Sequence, residues 1–230
     1  MTNLKKRLFF LLVFIIIGFI LLQIPFTNII GSNQKFSLFD FFAPTIGAFL
    51  TSIWGALSVI VVKSVSVLVS GQSFDTVTII RLFPLALGAL YFGARKYKKL
   101  VAFIPVICII LFVIHPEGRG AWVFSLYWLI PLIAVFAKKS LIFNSLGTTF
   151  TAHSIGGVAF LYALNLPSEV WLALIPIVFL ERMLFMAGIA VSYVVMNTLV
   201  NWLSIKLTIP SLQKLVRPEY TFSKQLINHL

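Results

Sequence analysis

Four ionisable residues lie deep inside long apolar runs: Lys63, His153, Glu181 and Arg182. A fifth, Arg81, stands a few residues into another such run. Charge among hydrocarbon is costly, and it persists where it is paired or where it lines a polar site. These residue types suit recognition of a charged solute. The cations would hold an anion, the histidine would donate or accept a hydrogen bond, and the carboxylate would balance the set when the site is empty. Each also has a structural reading. Glu181 and Arg182 can form an ion-pair lock, His153 can be a satisfied packing residue, Arg81 an interfacial anchor, and Lys63 a side chain snorkelling to a nearby surface. Neighbours on a helix point about 100° apart, so Glu181 and Arg182 are expected to face different surroundings.

Depth along a helix brings these groups to similar levels. His153 is ten residues into the run that starts at Phe143, and Glu181 ten residues beyond Trp171. At 1.5 Å per residue both lie about 15 Å in, near the midplane of a hydrocarbon layer about 30 Å thick. Lys63 is seven residues from Ser70, about 10 Å from that end. Lys63, Arg81, His153 and Arg182 are therefore expected to border one cationic cavity, with Glu181 as their internal partner.

The elements that must position them are apolar helices. Sixty per cent of the 230 residues are hydrophobic and 10% charged, with a mean hydropathy of +1.05. The expected fold class is an all-α polytopic transmembrane bundle, multi-pass in the cell membrane. Residues 1–230 form a single membrane domain with a cytoplasmic tail over 207–230. The run Leu8–Phe26 exceeds the usual apolar core of a secretion signal, and TNIIGSNQ after it offers no small-x-small cleavage site. It is expected to be an uncleaved first span. Cys108, the single cysteine, reads as a small buried hydrophobe.

Net charge is +12, and its distribution speaks against nucleic acid. Thirteen of the 18 basic residues fall in four groups at the ends of apolar runs: Lys5–Arg7, Arg95–Lys99, Lys138–Lys139, and the group from Lys206 to Lys224. Four of the six acidic residues, Asp40, Asp75, Glu117 and Glu169, fall in the alternate loops. That is the positive-inside pattern, and it places both termini in the cytoplasm. An even number of crossings must then separate successive basic groups. The count is eight spans, or six spans plus a re-entrant hairpin.

Phe41–Gly71 decides between these. At 31 residues it is too long for one ordinary span. It carries Gly47, Thr51 and Gly55 on a four-residue beat, which lets another backbone approach closely. Two segments or a hairpin, broken between Pro44 and Gly55, are expected. Pro44, Pro84, Pro105, Pro131 and Pro176 all lie within apolar runs and suggest broken helices around a cavity. Trp54, Trp122, Trp171 and Trp202 read as aromatic-belt anchors. Trp128 lies deeper, where packing or stacking on a ligand is expected.

Enzyme signatures are absent. The chain has no phosphate-binding GxxxxGK[ST], no HExxH and no Cys/His cluster of zinc spacing. AHSIGG, around His153, is similar to the histidine-bearing helix of rhomboid proteases, but the GxSG motif that would supply their serine is missing. Ser145 and Ser154 share the helix of His153 and sit in no such motif. No catalytic residue, metal or cofactor is expected.

The segment Pro44-x-x-Gly47-Ala48 followed by Gly55-Ala56, and the later LGALYFGARKYKK (87–99), resemble the substrate-binding S components of energy-coupling factor transporters. The resemblance implies a small helical protein that binds a micronutrient-like solute near the outer face. It also implies a separate transmembrane coupling subunit and two ATPases as partners. In that family the first span meets the coupling subunit through small residues. Here Leu8–Phe26 offers only Gly18, so Gly47, Thr51, Gly55, Gly156 and Gly157 are the candidate packing or partner contacts.

Three functions follow. The first is a solute-binding uptake subunit using Lys63, Arg81, His153, Glu181 and Arg182. The second is a noncatalytic assembly protein using the small-residue stripes. The third is an intramembrane enzyme acting on a lipid-linked substrate through His153 and Glu181. A cavity open to one side favours the first, a filled bundle with an exposed Gly/Ala groove the second, and His153 within hydrogen-bond reach of Glu181 the third.

Overall fold

The computed structural model describes residues 3–28, 35–94, 97–137, 140–206, 208 and 210–222. Of the basic groups, Arg95, Lys96, Lys138, Lys139 and Lys224 lie outside the described residues. The architecture is all-α, with one short antiparallel strand pair that the sequence did not suggest. Helix α1 (Asn3–Leu22) leads into β1 (Pro25–Asn28) and β2 (Lys35–Ser37). Then come α2 (Leu38–Phe42), a 3-10 turn (Ala43–Thr45), α3 (Ile46–Leu50) and α4 (Ser52–Val69).

The break expected between Pro44 and Gly55 falls at Thr51, whose φ of 121° ends one helix and starts the next. The arms fold back antiparallel. Near the turn a Cβ on Gly55 would sit 2.6 Å from the Cα of Gly47. Farther along, Lys63 meets Asp40. Thr51 itself is exposed at the turn.

Helix α5 (Thr76–Ile80) starts at Asp75, whose carboxylate accepts the Thr78 N–H at 2.7 Å, and continues into α6 (Phe83–Gly93). α6 packs against α3 and α4 and against the later helix Leu141–Leu164. Its approach to α3 is backbone to backbone. A Cβ on Gly47 would strike the Ala89 carbonyl, and one on Gly93 would strike the Gly47 carbonyl. Within a bilayer, where lipid is as apolar as leucine, such close approach is what holds helices together. The glycines at 47 and 55 are thus occupied by the chain's own helices.

Next are α7 (Lys98–Val101), α8 (Phe103–Ile114), α9 (Pro116–Gly120), an eight-residue 3-10 helix (Trp122–Leu129) and α10 (Ile130–Phe136). The larger rise of a 3-10 helix, about 2.0 Å per residue, lets this last run reach about 26 Å in few residues. α11 (Leu141–Leu164) and the 39-residue α12 (Ser168–Lys206) complete the bundle. Among the described residues three helical stretches are long and apolar enough to cross a membrane: Ser52–Val69, Thr76–Gly93 and Ser168–Lys206.

Four of the five prolines stand at interruptions between helical segments, as the expectation of broken helices has it. Pro44, Pro84 and Pro131 occupy the first turn of a new segment, and Pro105 is the third residue of α8. The first three lie within longer helical stretches, Leu38–Leu50, Thr76–Gly93 and Trp122–Phe136, where the missing N–H coincides with the change of segment. Pro176 lies inside α12, yet the helix runs through it.

The tail also departs from a free segment. After α13 (Pro210–Gln213) the chain turns back along α12. The buried Asn197 donates to the carbonyls of Arg217 at 2.8 Å and Tyr220 at 3.0 Å, and accepts the Arg217 N–H at 2.9 Å. Tyr220 meets Tyr193, and the Phe222 N–H donates to Thr198. At this same end Lys98 bonds Asn144 and stands over the Tyr91 ring. At the opposite end Glu117 accepts the Ser168 N–H at 2.8 Å, tying α9 to the start of α12.

Candidate functional site

A cavity of about 450 Å³ extends to the end of the bundle where α11 finishes and α12 begins, with Phe160, Leu166 and Trp171 in its lining. All five residues singled out from the sequence, Lys63, Arg81, His153, Glu181 and Arg182, line it. Each comes from a position the helices fix. Lys63 stands on α4, Arg81 at the α5–α6 junction, His153 on α11, and Glu181 and Arg182 on α12.

Asp40 joins them, and the sequence reading did not assign it. It is the third residue of α2, where its Oδ2 accepts the Ser37 N–H at 2.7 Å and the Ser37 hydroxyl at 3.0 Å. This half of a capping box holds the carboxylate in place. Its Oδ1 then lies 3.9 Å from Lys63 Nζ, with both side chains largely buried. Lys63 also donates to the Arg81 carbonyl at 3.2 Å, so one ammonium ties α2, α4 and the start of α6 together. The Arg81 side chain is exposed at the mouth. The signal for Asp40 was its acidity beside Ser37, which a loop assignment concealed.

Glu181 and Arg182 face the same cavity, contrary to the expectation from their helical angle. Their long side chains bend together, with Nη2 3.5 Å from Oε2. Arg182 is buried, 7% exposed. Its guanidinium lies 4.2 Å from the centre of the Phe185 ring and 5.9 Å from that of Phe36. Nη1 reaches Thr149 Oγ1 at 3.4 Å, and Nε has no partner among the described residues. A buried guanidinium held by two long contacts and an open N–H is under-satisfied.

His153 is fixed from below. Trp128, fully buried, donates its indole N–H to His153 Nδ1 at 3.0 Å. A nitrogen that accepts carries no proton, so the ring is neutral with its hydrogen on Nε2. Trp128 is thus a packing residue rather than a ligand platform. Its ring also fills the space beside Gly157, where a Cβ would lie 2.6 Å from it. Gly156 faces Pro84 across the cavity with room to spare, its nearest neighbour at 3.6 Å. Trp171, expected at the membrane surface, is 4% exposed and lines the cavity, whereas Trp54, Trp122 and Trp202 are about half exposed. Phe36, Phe124, Phe160 and Phe185 complete its aromatic wall.

Three hydroxyls of α11 are turned back on their own helix. Thr148, Thr151 and Ser154 donate to carbonyls three or four residues back. Ser154 is therefore not aimed at His153, and His153 bonds Trp128 while Glu181 pairs with Arg182. Cys108 is buried. Among the described residues no group of His, Cys, Asp and Glu is placed to hold a metal ion.

No protein-family model matches the chain, and no solved structure matches it. It is similar to an uncharacterised protein, MJ0923, of Methanocaldococcus jannaschii. The two are 24% identical over 203 residues, which takes in 78% of this chain and 67% of that one.

Proposed function

We propose that this is a multi-pass membrane protein of eight crossings that binds a small anionic solute, as the substrate-binding subunit of an uptake transporter. One observation carries the reading. Separate helices deliver Asp40, Lys63, Arg81, His153, Glu181 and Arg182 to a single cavity, where three cations face two carboxylates. Burying that many charges is destabilising unless they are paired or used. A cavity of this volume suits a small molecule.

The hairpin supports the crossing count. Gly47, one helical turn before Thr51, lies against Gly93, and the Asp40–Lys63 end lies at the cavity. These contacts fit an arm 38–50 that runs the depth of the bundle rather than dipping in and out. With basic ends inside, both termini are cytoplasmic and the cavity faces out of the cell. The resemblance to energy-coupling factor S components adds a coupling subunit and ATPases as proposed partners. Gly47, Gly55 and Gly157 are filled from within the chain, so that docking would use other surfaces. The catalytic alternative is weakened by the separate engagements of His153 and Glu181.

The experiment is to purify the protein in mild detergent, denature it, and identify released small molecules by mass spectrometry. One species near molar equivalence, depleted in Lys63→Met at equal monodispersity, is expected. Protein that releases nothing, with Lys63→Met indistinguishable from wild type, would sink the reading.

A further inference from the structure

We propose that Gly156 sets the specificity of the cavity, its missing side chain making room for a ring on the bound solute. This rests on the solute-binding reading above and deepens it, naming a specificity-determining position and the kind of body it admits. Gly156 lies in the interior of α11, a 24-residue helix, where glycine is less favourable than alanine because it gives up more backbone freedom. Nothing in the packing asks for it. A Cβ there would find only Pro84, at 3.6 Å and 4.0 Å, which is ordinary van der Waals contact. Its backbone is helical and takes no positive φ.

The other described glycines have a reason within the fold. Gly71 takes a φ of 65°, and each of the rest would bring a Cβ to 3.4 Å or closer to another atom. Gly157, the very next residue, would strike the Trp128 ring at 2.6 Å. Gly156 is half-buried and lines the cavity together with Ala152, His153 and Phe160 of the same helix. A residue that breaks a local rule with no packing gain points to function. What the fold gains here is space in the cavity wall.

The surroundings say what takes that space. Residues three and four apart share a helix face, so His153 and Phe160 stand one turn to either side of Gly156, with Pro84 opposite. Phe124 joins them, its ring centre 5.4 Å from that of His153 and 5.1 Å from that of Trp171. The His153 ring is held in place by Trp128. A ring gains from such aromatic neighbours beyond the area it buries. An extended chain would not need the width that a bare α-carbon provides.

Wild type, Gly156→Ala and Gly156→Leu, each full-length and purified in the same detergent, are denatured, and the small molecules released per mole of protein are identified by mass spectrometry. Wild type is expected to release a ring-bearing species. Gly156→Ala should release about fivefold less at equal monodispersity, because a methyl group overpacks a filled site. Gly156→Leu should release none. An alanine variant as fully loaded as wild type overturns the assignment of Gly156 while leaving solute binding intact, and this comparison stands even if Gly156→Leu does not fold. An acyclic species from wild type overturns the ring. Wild type that releases nothing is a separate failure, which sinks the solute-binding reading and this one with it.

Discussion

Trp128 donates to His153 Nδ1 across 3.0 Å, and this bond fixes both the tautomer and the orientation of the histidine that lines the cavity. Trp128→Phe keeps most of the packing but leaves a buried acceptor without its donor. It is expected to destabilise the protein by about 1–2 kcal/mol. Adding His153→Leu should recover part of that loss, because the unpaired nitrogen is then gone. Thermal unfolding in detergent measures both, and an additive double variant would argue against the coupling.

The Asp40–Lys63 pair calls for a double-variant cycle. Either Asp40→Asn or Lys63→Met alone leaves a charge unpaired in a largely buried site, at a cost of about 3 kcal/mol. The combined variant should cost less than the two single variants together. Equal and additive losses would mean that the 3.9 Å contact is incidental.

Glycines of the bundle are expected to divide by neighbour. Gly47→Ala and Gly93→Ala place a methyl group against backbone carbonyls, which cannot yield, and should cost about 1–3 kcal/mol or prevent folding. Gly156→Ala meets only Pro84 at 3.6 Å and should leave stability within about 0.5 kcal/mol, while narrowing the cavity. Parallel melting curves of the three variants give the comparison.

Topology is checked by reporter fusions at His115–Gly120 and beside Lys138. The proposed topology puts these on opposite sides of the membrane. Signals from one side only would remove the eight-crossing reading.

Lys98, at the basic end, has its amine pulled down to about 8, first by burial and then by the nearby Arg217. The native state therefore releases a proton near pH 8, while the unfolded chain holds it to about 10.5. Between those values the unfolded state binds more protons, so this group makes stability rise with pH. The site is partly open to solvent, and screening limits the effect to about 1 kcal/mol. Lys98→Met should flatten the slope of unfolding free energy over that interval.

Much of this site was legible because charge inside apolar runs is rare and helix rise fixes depth. Lys63, His153, Glu181 and Arg182 stood out for that reason, and Phe41–Gly71 betrayed its break by length. Asp40 was hidden because acidic residues near a span end are ordinary; only the fold shows it beside Lys63. The Trp128–His153 bond joins residues 25 apart on different elements, which no local pattern encodes. Glu181 and Arg182 were separated by an argument about Cβ directions, but long side chains are free to converge. The prolines marked where apolar runs change segment, as at Pro84 and Pro131, and only Pro176, inside the unbroken α12, did not.

Asn197 grips the returning tail by main-chain atoms: two carbonyls and one amide of Arg217 and Tyr220. Thr198 likewise takes a backbone amide, that of Phe222. Such recognition reads the path of a strand of polypeptide and not its lettering. Apart from Leu212, Leu215, Val216 and Tyr220, which pack against the core, side chains over 210–222 are free to drift in evolution while the route is kept, provided the single amide at 197 survives. Homologues should thus show a poorly alignable ending beside an invariant asparagine, and the same end should accept rewritten sequence in engineered chains more readily than it accepts deletion.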